Sequence, residues 1–136
     1  ADEDFRDDTV DAGEVGAGHS ITALYEIALE DANVTGTVAT AYIRYEDADT
    51  HEVVELEQAI NVTDLLPSLG DAPADFKLHA AVAEFAELLR DSYWAEGGSY
   101  VDVLDLAKDV PDAMGGDDTV SEFVELVKLA GRYVDR

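Results

Sequence analysis

The sequence predicts an α+β protein: a short antiparallel β-sheet of three or four strands, followed by about three α-helices. Apolar residues alternate with polar ones over much of residues 19–64, which is the period of a half-buried strand. From residue 65 onward they recur every three or four positions, as in amphipathic helices. Because the strands come first and the helices follow, a parallel sheet built from alternating strands and helices is disfavoured.

The β region, residues 19–64, follows an acidic and glycine-punctuated lead-in over residues 1–18. Its first strand is predicted over residues 19–29, with an apolar face formed by Ile21, Ala23, Tyr25, Ile27 and Leu29. An aspartate-rich turn at residues 47–50 predicts a hairpin, since Asp bonds to its own backbone in turns. The remaining strands, the last of them short, are predicted over residues 37–46, 51–57 and 60–62.

The helical region, residues 65–136, contains a long helix predicted over residues 73–91. Capping boxes at Ser99 with Asp102 and at Thr119 with Glu122 predict two further helix starts. Aromatic side chains lie between the first two helices. For Tyr93, Trp94 and Tyr100 we favour packing at the junction of the two helices over a platform that binds a ligand.

The composition indicates a folded but unusually acidic chain. Its 136 residues include 32 Asp and Glu against 8 Lys and Arg, a formal net charge of −24, while hydrophobic residues make up 47%. That hydrophobic content excludes a disordered acidic tail. The length suits one domain or a small pair of subdomains. The absence of Cys excludes disulfides and thiolate metal sites.

The negative charge also restricts the partners that we expect. It repels nucleic-acid phosphate and anionic lipid, so neither is expected to bind. No apolar run approaches the roughly 20 residues of a membrane span, so this segment is not expected to insert in a membrane. The acidic residues extend from Asp2 to Asp135. Such a spread is typical of a saline-adapted surface, whereas a surface that binds cations or a basic partner would gather them in one place.

The sequence gives no group of residues with the spacing of a known catalytic or metal site. No second histidine at metal-ligand spacing accompanies His19, His51 or His79. Residues 13–18 have the order GxxGxG and precede a strand, whereas a phosphate loop leads into a helix. Ser20 lacks the sequence context of a nucleophile elbow. We therefore predict that the chain is not an enzyme, has no cofactor, and has no catalytic, cofactor-binding or metal-binding residues.

The alternative is a divalent-cation-binding module or a metal-dependent hydrolase that uses clustered carboxylates. The hairpin turn offers Asp47, Asp49 and Glu52, but it lacks the glycine and the distant bidentate glutamate of an EF-hand loop. A general acid would need apolar burial to raise its pKa. Glu84 and Glu87 are nearest to apolar neighbours, yet their positions predict a solvent-facing side of the helix. The lead-in offers a second group of acids: Asp7, Asp8, Asp11 and Glu14.

The segment VDAGEVGAGH at residues 10–19, continuing into TALYE at residues 22–26, is the most distinctive part of the sequence. With the helical patterns at residues 74–90, 99–107 and 122–127, it resembles the region that follows the von Willebrand factor type A domain in a family of bacterial, YfbK-like proteins. The resemblance covers nearly the whole chain. The chain does not begin with Met, and we expect it to be a fragment of something longer.

The resemblance implies an accessory role beside another domain. The von Willebrand domain of that family carries a metal-ion-dependent adhesion site built on a DxSxS motif, and no DxSxS occurs in this chain. The expected function is a non-catalytic accessory and interaction module, which supports the von Willebrand factor type A domain of the same full-length chain or contacts other proteins. The resemblance also implies a location in the cell envelope or periplasm.

Overall fold

The computed structural model describes residues 4–7, 9–10, 13–16, 18–31 and 33–134. The chain divides into two compact units, Ala1–Leu65 and Leu66–Arg136, which we call the β unit and the helical unit. The lead-in acids Asp8 and Asp11 lie outside the described residues.

The β unit contains one antiparallel hairpin. Strand β1 spans Thr37–Glu46 and strand β2 spans Val53–Asn61. Their register places Ile43 opposite Leu56, with an irregularity near the start of β1. Both strands are rich in the β-branched and aromatic residues that favour a pleated surface.

The predicted α+β class is confirmed, but the predicted count of three or four strands is not. The described residues form two strands, and the predicted first strand, residues 19–29, has no assigned secondary structure. Residues 60–62, the predicted short fourth strand, are divided between the end of β2 and a 3₁₀ turn at Val62–Asp64. Alternation shows which side chains share a face, but a strand also needs a hydrogen-bonded neighbour.

The helical unit contains three helices longer than one turn, in agreement with the prediction. Helix α1 spans Ala74–Leu89, α2 spans Tyr100–Ala107 and α4 spans Asp118–Val134. The single turn α3, Val110–Ala113, has proline in its first turn, where the missing N–H costs nothing. None of the helices among the described residues is both long enough and apolar enough to cross a membrane.

Small side chains form the core of the helical unit. Ala81 of α1, Val103 and Ala107 of α2, and Val124 and Val127 of α4 are at most 5% exposed and pack together. Such small residues let helix axes approach closely, and larger partly buried residues surround them. All buried side chains of the described chain lie in this unit: Ala81, Ala95, Val103, Ala107, Val110, Val120, Val124 and Val127.

Aromatic rings extend the core at one side. The Phe85 ring lies 5.6 Å from that of Phe123 and 5.9 Å from that of Tyr100, both edge to face. Gly131 makes room there, because a Cβ at this position would lie 3.3 Å from the Tyr100 Cβ. The prediction that Tyr100 packs at a helix junction is therefore confirmed.

The predicted start of the second helix is confirmed, and that of the last helix is corrected. The Ser99 hydroxyl accepts a hydrogen bond from the Asp102 backbone N–H at 3.2 Å. At α4, the Asp117 carboxylate accepts hydrogen bonds from the Thr119 and Val120 N–H groups at 2.8 and 3.1 Å. Asp117, not Thr119, therefore caps α4, and its negative charge also suits the helix N-terminus.

We expect Val127→Ala to destabilise the helical unit by about 2 kcal/mol, because it removes fully buried methyl groups and leaves a cavity. Urea unfolding followed by helical circular dichroism measures this loss. The control is Val101→Ala on α2, where the side chain is 64% exposed. Equal destabilisation by the two variants would contradict the described core.

We expect Asp117→Ala to lower the free energy of unfolding by about 1 kcal/mol, since two backbone N–H groups at the start of α4 lose their acceptor. Thr119→Ala should change it by less than about 0.5 kcal/mol, as for an ordinary surface substitution. The two variants are compared in the same urea titration. A larger loss in Thr119→Ala would restore the capping box predicted from the sequence.

Candidate interaction surfaces

The hairpin carboxylates shape their own loop. The Asp47 carboxylate accepts hydrogen bonds from the backbone N–H groups of Thr50 at 2.8 Å and Asp49 at 3.0 Å, and from the Thr50 hydroxyl at 3.1 Å. These bonds, led by the one from the Thr50 backbone, lower the pKa of Asp47. One Asp47 oxygen is thus used in the turn, while Asp49 and Glu52 are exposed.

The lead-in acid Asp7 also accepts hydrogen bonds from its own loop. The Asp7 carboxylate accepts hydrogen bonds from the Thr9 hydroxyl at 2.7 Å and the Thr9 N–H at 2.9 Å, which lower the Asp7 pKa. Glu14 is exposed. Across the part of the chain that the structure describes, no group of three or more histidine, aspartate or glutamate side chains could hold a metal ion.

Glu84 and Glu87 of α1 are half-buried rather than fully solvent-facing, whereas Asp75 in its first turn is exposed. Hydrogen bonds from Ser92 and Arg90 lower the pKa of Glu87, which is the opposite of the shift that a general acid needs. The Glu84 carboxylate lies against Gly98, where an added Cβ would collide with it. Glu84 and Glu87 therefore contact the segment that follows α1. The three histidines, in contrast, are all exposed: His19, His51 and His79.

One face of the β-hairpin is apolar and open. The register places most of the apolar side chains of both strands on this side, and we call it the apolar hairpin face. Ile43 is 60% exposed, Leu56 52% and Tyr45 47%. The face comprises Ala39, Ala41, Ile43, Tyr45, Val54, Leu56 and Ile60, with the polar Gln58 opposite Ala41.

The opposite face of the hairpin is polar and partly covered. The Phe5 ring lies 6.2 Å from the Tyr42 ring, edge to face. Arg6 Nη2 donates to Glu55 Oε1 at 2.6 Å, and this bond lowers the pKa of the Glu55 carboxyl. The described lead-in residues therefore contact the polar face. On the apolar hairpin face Ile43, Tyr45 and Leu56 stay exposed, while the other large apolar side chains are half-buried.

A second exposed surface follows α1. The 3₁₀ turn Tyr93–Ala95 presents Tyr93 and Trp94, which are 77% and 74% exposed, with ring centroids 5.4 Å apart. The prediction that these two rings pack at a helix junction is wrong, although Ala95 in the same turn is buried. Tyr93 borders a shallow depression of about 400 Å³. Its lining residues are Leu88, Asp91, Ser92, Tyr93, Ala95, Glu96 and Gly98.

Sequence reasoning identified the alternation in the hairpin but did not identify its apolar side as a surface. Alternation shows only which residues share a side of the sheet. It therefore cannot distinguish a face that is covered by other elements from a face that is exposed. The count of two strands, which supply too little apolar surface for a core of their own, came only from the structure, since the sequence predicted three or four.

A two-stranded antiparallel sheet with exposed apolar side chains on one face, together with a helical unit, defines an α+β module. The sequence comparison assigns this module to a family. The profile described as "Uncharacterized protein YfbK, C-terminal" matches residues 1–42 and 30–132. The chain therefore belongs to the YfbK C-terminal family, as its resemblance indicated.

A relative with a longer chain is the protein called "Uncharacterized protein YfbK" of Escherichia coli (strain K12). It is 28% identical over 155 residues, which cover 98% of this chain and 25% of that protein. The chain thus spans about a quarter of the relative's length. No solved structure shows significant similarity to the chain.

We expect Asp47→Ala to loosen the hairpin turn and to accelerate hydrogen exchange of the Thr50 amide, while Asp49→Ala, the matched control, leaves it unchanged. Folding lowers the Asp47 pKa, so the ionised carboxylate stabilises the folded turn. This stabilisation is present above the ordinary pKa of about 3.9 and is lost as the pH falls through the lower folded value. Amide exchange measured by NMR across that range tests both statements. Equal effects of the two variants would contradict the assigned role of Asp47.

Proposed function

We propose that this chain is a non-catalytic accessory module that follows a von Willebrand factor type A domain and braces it through the apolar hairpin face. The same resemblance leads us to propose a location in the cell envelope. The observation that carries the proposal is the uncovered apolar hairpin face in a unit that has no buried side chain among its described residues.

The energetics of the hairpin support a docking role. An isolated two-stranded hairpin is marginal in water, and stability comes from a third strand or from a layer packed on its apolar face. Ile43 and Leu56 each keep at least half of their surface exposed. Covering them fully would contribute about 1 kcal/mol each, since complete burial of such a side chain contributes about 1.5–3 kcal/mol.

The position of the family supports the choice of partner. The matching profile describes the C-terminal part of a protein, and most of the longer relative lies outside the match. A partner within the same chain is held at high effective concentration, so a modest apolar contact is enough to dock it. The uncovered face and its partner would then form one folding unit.

The acidic residues have a different role in this proposal. Several of the few cations pair locally with acids, as Lys108 does with Asp105 and Lys128 with Glu125. The large remaining excess of acids keeps the surface hydrated in a saline medium. The carboxylates therefore act in solubility, while the apolar hairpin face makes the contact.

We expect Leu56→Ser to lower the melting temperature of the longer protein by about 2–4 °C, because a docked face loses about 1 kcal/mol. In the isolated 136-residue chain the same variant should have little effect, since Leu56 is already exposed there. Differential scanning calorimetry of both proteins measures the difference.

The matched control is Val53→Ser, because Val53 is 48% exposed on the opposite face of the same hairpin. It should leave both melting temperatures nearly unchanged. The proposal fails if Leu56→Ser and Val53→Ser act alike in the longer protein, or if the preceding domain and this module melt independently.

A further inference from the structure

Residues 20–29, with the sequence SITALYEIAL, keep the pattern of a strand but have no strand partner in the described chain. We propose that this segment is a donated β-strand, which adds to the edge of a sheet in the von Willebrand factor type A part of the same longer protein. The inference rests on the proposed function and deepens it, because it names the backbone contact that would accompany docking of the apolar hairpin face.

The side chains of the segment are unusually exposed for their chemistry. Tyr25 is 87% exposed, Ile21 72% and Ile27 53%, and all three belong to the alternating apolar face. On the other side Leu24 is 42% exposed. Glu26 is the only charged residue of the segment in a chain with a net charge of −24. An alternating, nearly uncharged apolar segment of this kind is prone to aggregate unless another element covers it.

The backbone of the segment makes no hydrogen bond to another described residue. Among the described residues, the backbone hydrogen bonds before it end with the His19 N–H, which donates to the Gly16 carbonyl at 3.0 Å. They resume with the Val34 N–H, which donates to the Asp31 carbonyl at 3.3 Å. No described residue therefore bonds to the backbone N–H and C=O groups of residues 20–29, which leaves them available to a neighbouring strand, as β-augmentation requires.

A second copy of the chain is the less favourable partner. Each copy carries a net charge of −24, which opposes association of two copies to the extent that salt does not screen it. A sheet edge within the same protein is favoured, because the connecting chain keeps it at a high effective concentration. The chain covers only 25% of its longer relative, which leaves room for a domain that supplies the edge.

Hydrogen exchange in the longer protein and in the 136-residue chain tests the inference. In the isolated chain we expect the amides of residues 20–29 to exchange without protection. In the longer protein we expect about 100-fold slower exchange for the amides that bond to the sheet edge. NMR resolves individual amides, and an edge strand should show protection at every second residue because successive N–H groups point to opposite sides.

Proline substitutions at two alanines separate strand pairing from general apolar contact. Ala23 and Ala28 lie at positions of opposite parity, so in an edge strand only one of their N–H groups faces the partner. Proline removes the N–H with little change in side-chain size. We expect one of Ala23→Pro and Ala28→Pro to abolish the protection of the whole segment, while the other leaves most of it.

The outcomes distinguish this inference from the proposed function. Free exchange of residues 20–29 in the longer protein, together with a normal effect of Leu56→Ser, would overturn the strand and leave the docking proposal intact. Tolerance of both proline variants would overturn the strand as well. Protection that appears in the isolated chain as its concentration rises would show that a second copy supplies the edge, and this would overturn the assigned partner.

Discussion

Three helices meet through alanine and valine side chains at the centre of the helical unit. Ala81, Ala107 and Val127 are completely buried there, and their small size lets the helices approach closely. The positions of the surrounding side chains follow from this contact. The edge-to-face rings of Phe85, Tyr100 and Phe123 form one side of the core, and Glu84 is held against Gly98 in the segment that follows α1.

The described residues of the β unit form no comparable core. Its hairpin separates a polar face, contacted by Phe5 and Arg6, from an apolar face that stays open. Its strand-like segment at residues 20–29 is open as well. Both observations have the same physical cause. A short chain buries too little apolar surface to stabilise two separate cores, and here the helical unit contains all the buried residues that the structure describes.

Several carboxylates of this acidic chain bond to nearby backbone groups instead of forming a common cluster. Asp47, Asp7 and Asp117 each accept hydrogen bonds from nearby backbone N–H groups, in a turn, in the lead-in and at a helix start. These bonds lower the pKa of Asp47 and Asp7, so the acids stay ionised and stabilise local backbone geometry. Such local use explains why acids that are neighbours in sequence do not converge on a common point in the described residues.

The sequence by itself determined the class of fold and the main elements. Alternation placed β1 at its observed bounds, Thr37–Glu46, and the period of three to four residues placed α1 and α4, because these patterns depend on local backbone geometry. The distinctive segment at residues 10–19 led to the family. Only the tertiary structure decided that residues 19–29 have no strand partner among the described residues, that Trp94 is exposed and that Asp117 caps α4. Each of these depends on which neighbour a residue meets in space, and local periodicity contains no information about that neighbour.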